Sequence, residues 1–108
     1  METPLMSTRV EVSQLNQLKP GQRKLVKVNG QQIALFNLNG AIYAINNTCP
    51  HSRGPLIKGR IYGTKVTCPW HGAQFDITTG QCQNGPATTN IIAYSTYIEG
   101  DAVFVEIT

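Results

Sequence analysis

Cys49-Pro50-His51 and Cys68-Pro69-Trp70-His71 are separated by sixteen residues and hold two of the three cysteines and both histidines of the chain. Two thiolates and two imidazoles suit zinc or iron–sulfur chemistry, whereas calcium and magnesium sites need carboxylates that these segments lack. Four unconnected core residues would not gather every imidazole of a chain within three residues of a thiol. Whatever fold forms must therefore deliver two irregular, proline-bearing segments to one place. Mononuclear zinc usually draws a C-x(2–4)-C pair from one knuckle and an H-x(3–5)-H pair from another. Here each segment gives one sulfur and one nitrogen. That lets two loops approach a binuclear centre from the same side, both cysteines reaching one iron and both histidines the other.

Around this array the periodicity is that of strands. Lys24–Val28, Gln32–Leu38 and Ala41–Ile45 are short, rich in β-branched and aromatic residues, and separated by Asn29-Gly30 and Asn39-Gly40. Both central positions of a type I′ turn need positive φ, which Asn and Gly tolerate, so the two dipeptides predict a meander. Ile91–Ile98 and Ala102–Ile107 flank Glu99-Gly100-Asp101 as a further hairpin. No stretch has a sustained helical period. The expected fold is all-β, an antiparallel sandwich or barrel. Residues 46–63, with Pro50, Gly54, Pro55, Gly59 and Gly63, read as loop, and Val66-Thr67 with Gln74–Ile77 as a small strand pair inserted with the metal loops.

At 108 residues the chain forms one domain with a modest core, which a metal that ties two loops would supplement. Three cysteines, two of them ligand candidates, exclude a disulfide framework and favour a reducing compartment. Residues 1–8 carry neither an export signal nor a membrane span and read as a flexible tail before a domain at 9–108. A cytoplasmic, soluble protein without a membrane partner is expected.

Cys49-Pro50-His51, with Gly54 after it, and the run Cys68-Pro69-Trp70-His71-Gly72-Ala73-Gln74-Phe75-Asp76 resemble the Rieske [2Fe–2S] family, most of all the soluble ferredoxins of aromatic-ring dioxygenase systems. The resemblance spans nearly the whole chain, from Val10 to Ile107. It implies an all-β fold with a small inserted cluster-binding subdomain, loops at about 46–87, and one [2Fe–2S] cluster held by Cys49, His51, Cys68 and His71. Two neutral imidazoles in place of two thiolates leave the oxidised cluster about neutral, which eases reduction relative to all-cysteine ferredoxins. Respiratory relatives carry an extra cysteine in each loop, joined as a disulfide; the matching positions here are Gly54 and Trp70. Their serine and tyrosine hydroxyls, which bond the cluster sulfurs, correspond to Ala73 and Phe75. Loss of two donors that stabilise the reduced state points to a low potential. Gly85-Pro86-Ala87 resembles the family's proline loop over the cluster, and Trp70 and Phe75 are expected to cover it. Cys82 reads as a packing residue, since nothing cationic adjoins it to activate the thiol.

Between His51 and Cys68 lie Arg53, Lys58, Arg60 and Lys65 without an acid. Such a patch beside an electron exit steers encounters with an acidic redox protein. The small excess and lack of a recognition motif argue against nucleic acid. No histidine remains for a mononuclear iron site, so the chain reads as a monomeric electron-transfer protein and not an enzyme. Its expected partners are a ferredoxin reductase and a terminal oxygenase. The competing readings are the Rieske-like small subunit of an assimilatory nitrite reductase, a cytosolic Rieske protein of regulatory or maturation role, and a structural zinc module.

Overall fold

The structure, a computed structural model, describes residues 8–50, 53–70, 72–84 and 89–107. Eleven strands are formed among them: β1 (Thr8–Gln14), β2 (Arg23–Val28), β3 (Gln31–Leu38), β4 (Ala41–Asn46), β5 (Arg60–Tyr62), β6 (Lys65–Thr67), β7 (Gln74–Asp76), β8 (Cys82–Asn84), β9 (Ala93–Tyr94), β10 (Thr96–Glu99) and β11 (Ala102–Ile107). They pair antiparallel in three sheets of order β1-β11-β10, β2-β3-β4-β9 and β5-β6-β7-β8. The first two make the base. The third, inserted between β4 and β9, carries the cysteine loops.

The meander forms as its turns predict. Val28 pairs with Gln31 and Leu38 with Ala41, leaving two-residue Asn-Gly loops in which Asn29 and Asn39 have φ of 51° and 56°. Strand β3 is buried on both faces because it is shared by two cores. With a period of two, Ile33 and Leu35 face an apolar layer with Leu18, Ile42, Val103 and Val105, between the two base sheets. Ala34 and Phe36 face the other way, against Leu56, Val66, Phe75 and Ile77 of the inserted unit. Both cysteines, Cys49 and Cys68, lie in that second core. Burial of a large aliphatic or aromatic side chain contributes about 1.5–3 kcal/mol, so β3 fastens the insertion to the base.

Three expectations need correction. The run 91–98 is not one strand: β9 pairs with β4 and β10 with β11, and Ser95 between them turns its carbonyl to the Glu106 N–H. A single alternation hides a strand that changes sheets. The inserted unit has four strands and not two, since Arg60–Tyr62 and Cys82–Asn84 are three-residue strands, too short for a periodic signal. Thr8, placed in the tail, begins β1, in register with Ile107.

Candidate metal centre

Each cysteine starts a turn of the same construction. In the first loop the Cys49 N–H donates to the Gly54 carbonyl (3.0 Å) and the Arg53 N–H to the Cys49 carbonyl (2.7 Å). In the second the Cys68 N–H donates to the Ala73 carbonyl (2.7 Å) and the Gly72 N–H to the Cys68 carbonyl (3.1 Å). The residue four places after each cysteine has positive φ, 63° at Arg53 and 79° at Gly72. Both cysteine backbones are thus satisfied within their own loop, which fixes where the side chains leave the chain.

The loops meet at Gly54. A Cβ built there would lie 2.7 Å from Cys68 Sγ and 3.1 Å from Trp70 Cγ, so only glycine admits the approach. Positions 54 and 70, where respiratory relatives bear the cysteines of a disulfide, therefore touch, with the Trp70 indole filling the space. Trp70 lies against Gly54 and stays 59% exposed. Phe75, expected to be a cover, is fully buried, paired with Val66 and Cys82, and fills the core instead.

Cys49 and Cys68 are almost fully buried, and none of the three cysteines is in a disulfide. Two buried sulfurs on matched turns, interlocked through Gly54, form a soft donor pair that fits half of the expected ligand set. His51 and His71 lie outside the described residues, as does Gly85-Pro86-Ala87. Ala73, fully buried, stands directly behind the second turn. Cys82 sits in β8 opposite Phe75, half-buried at the edge of the same core, as a packing residue would.

Sequence reading missed the residues that hold the first loop. Buried Asn47 accepts the Ile57 N–H on its side-chain oxygen (2.7 Å) and donates to Gln32 Oε1 (3.1 Å). Asn46 Oδ1 accepts the Thr48 N–H (2.9 Å). Arg23 reaches from β2 to the carbonyls of Ile57 (2.9 Å) and Gly59 (2.6 Å). The Asn46-Asn47 pair ahead of the first cysteine was the available signal, since Asn side chains organise neighbouring backbone. In the second loop's sheet, Asp76 plays a similar part: its carboxyl is held below its ordinary value of 3.8 mainly by the Thr78 hydroxyl, against partial burial, with help from Thr78 N–H, Thr64 and Thr79.

Fold and site define a small all-β protein whose two cysteine loops, with both sulfurs buried, come together at Gly54. A family model described as the Rieske [2Fe-2S] domain matches residues 8–95. The ferredoxin component of the naphthalene 1,2-dioxygenase system of Pseudomonas aeruginosa is 33% identical over 98 residues, which are 91% of this chain and 94% of that protein. Apoptosis-inducing factor 3 of Homo sapiens is 32% identical over 103 residues, 95% of this chain, which spans 17% of that protein's length. Among solved structures, the ferredoxin of carbazole 1,9a-dioxygenase from Nocardioides aromaticivorans IC177 superposes with a TM-score of 0.85 at 31% identity, covering 91% of this chain and 96% of that one. The chain belongs to the Rieske [2Fe-2S] family, and its cofactor is one Rieske-type cluster.

Proposed function

We propose that the protein is a low-potential Rieske ferredoxin, a cytoplasmic, monomeric one-electron carrier that accepts electrons from a ferredoxin reductase and delivers them to a terminal oxygenase. Its cluster ligands are Cys49, His51, Cys68 and His71. The observation that carries this reading is the pair of matched cysteine turns, in a chain that spans 94% of a stand-alone dioxygenase ferredoxin. The bound cluster supplies reversible one-electron chemistry. The protein places both sulfurs in an apolar core and brings the second loop against Gly54. No helix among the described residues is long and apolar enough to cross a membrane.

The potential is set by what surrounds the sulfurs. Ala73 and Phe75 offer no hydroxyl, and both sit fully buried in the core that contains Cys49 and Cys68. Without those donors the reduced state loses stabilisation, and the midpoint falls at the low end of the family range, about −150 mV. A spectroelectrochemical titration at neutral pH tests this. A midpoint above about +100 mV would place the chain with the high-potential members and remove the thermodynamic basis for the carrier role. Ala73→Ser, which restores one hydroxyl beside the second turn, raises the midpoint.

A further inference from the structure

The inserted sheet has an inner and an outer face. The row Ile61–Val66–Phe75–Cys82 packs inward. Successive side chains alternate along a strand, so the rows Arg60–Thr67–Gln74 and Tyr62–Lys65–Asp76 point outward. Arg60, Tyr62 and Lys65 are exposed, Tyr62 to 85%, and exposed Lys58 precedes them in the chain. A cleft of about 570 Å³, lined by Lys58, Arg60, Thr67, Cys68, Pro69 and Gly72, runs from this face to the second cysteine.

The charge of the molecule is concentrated in this unit. Residues 47–92 hold four basic side chains, Arg53, Lys58, Arg60 and Lys65, against one acid, Asp76, and that excess equals the whole chain's net +3. Asp76 accepts hydrogen bonds from Thr64 and Thr78. Among the described residues the ion pairs lie in the base, between Arg9 and Glu99 or Glu106, so Lys58, Arg60 and Lys65 keep their full field. An exposed aromatic flanked by cations on a sheet whose other end leads to a buried cysteine has the composition of an interface anchor.

We propose that the face formed by Lys58, Arg60, Tyr62 and Lys65, with the cleft beside Cys68, is the docking surface for a redox protein that presents clustered carboxylates. The inference rests on the carrier reading and adds the sign and place of the encounter. A protein partner fits better than nucleic acid because the patch is compact and holds a single exposed aromatic, whereas single-strand binding uses a basic groove with successive stacking platforms.

The test uses the cluster-loaded protein and an acidic plant-type [2Fe–2S] ferredoxin as one-electron donor. One electron leaves the probe and one enters this protein. Stopped-flow rates are measured at rising salt for wild type, Arg60→Gln, Lys65→Gln and Tyr62→Ala. Lys24→Gln is the control, since Lys24 contacts Ser13 and Gln17 in the base. The wild-type rate is expected to fall about tenfold or more between low and high salt. Each neutralised face residue slows the low-salt reaction about threefold and flattens its salt dependence, whereas Lys24→Gln changes it by less than about 1.5-fold. Equal effects of Lys24→Gln and Arg60→Gln, or a rate indifferent to salt, would overturn the docking face. So would displacement of the probe from this face by single-stranded DNA or phosphatidylserine vesicles at equal charge concentration. Dithionite reduction separates the two readings: a protein that takes no electron from dithionite fails as a carrier, while one that does, with a salt-independent ferredoxin rate, loses only the docking face.

Discussion

The two cysteine loops make one turn by two different means. The second, Cys68 to Ala73, is the connection of a hairpin, closed by β6 and β7 and carrying Gly72 at its left-handed position. The first is closed by less regular pairing, the Thr48–Pro55 bridge and the Leu56 N–H to Asn47 carbonyl bond (2.8 Å); it is tied to the base by the Asn47 N–H to Gln32 carbonyl bond (2.9 Å) and by the side chains of Asn47 and Arg23, and its left-handed position holds an arginine. The same turn geometry is thus reached once through regular sheet structure and once through a short irregular closure supplemented by long-range contacts with the base. The second loop should be robust to changes in the base, and the first should depend on them.

Replacing a proposed ligand removes the feature that both loops share, so it has the largest expected effect. Cys49→Ser and Cys68→Ser are each expected to abolish the cluster and cost much of the stability of the insertion, because metal binding here is part of folding. Iron and sulfide analysis with thermal unfolding reads this out. Retention of the cluster in Cys49→Ala together with its loss in Cys82→Ala would overturn the ligand assignment.

The next effect separates the loops. Asn47→Ala strands the Ile57 N–H, at a cost of about 1–3 kcal/mol, while the exposed Gln32 side chain turns to water. The loss should appear in urea unfolding of the loaded protein and as faster iron release to a chelator. An Asn47→Ala variant as stable as wild type would mean that the first loop is held locally after all.

Smaller and opposite in sign are changes at the equivalent left-handed positions. Gly72→Ala is expected to destabilise by about 1–2 kcal/mol, the cost of placing a Cβ in that conformation. Arg53→Gly relieves the same strain but adds about 0.5–1 kcal/mol of chain entropy to the unfolded state, leaving a slight net gain. Matched denaturation curves check the pair, and losses of equal size at both would show that the Arg53 side chain makes a stabilising contact of its own.

The smallest effect concerns acid. Asp76 has a folded-state value below 3.8, so its contribution to stability is present above about pH 4 and is lost as pH falls through that lowered value. Asp76→Asn should flatten the acid limb of a stability profile below pH 4 and leave the neutral limb parallel to wild type.

Much of this was legible from the residues. The Asn-Gly turns located the meander because their backbone demands are local, and the two Cys-Pro segments located both cysteine turns. Arg60–Tyr62 and Cys82–Asn84 escaped because three residues carry no period and exist as strands only through β6 and β7. The break at Ser95 escaped because the same apolar alternation serves two sheets. Arg23 was invisible as a loop anchor, since the carbonyls of Ile57 and Gly59 that it reaches are brought to it only by the folded chain. Phe75 beside the ligands looked like a cover, but its strand register turns it inward.

The central claim is that Cys49 and Cys68 bind one iron and His51 and His71 the other in a single [2Fe–2S] cluster. The most direct test is pulsed electron resonance of the dithionite-reduced protein, combined with iron and sulfide analysis. Two irons and two acid-labile sulfides per chain are expected, with a rhombic signal and nitrogen couplings from two imidazoles that disappear one at a time in His51→Cys and His71→Cys. A colourless protein with one zinc per chain, or a two-iron cluster without nitrogen couplings, would contradict it.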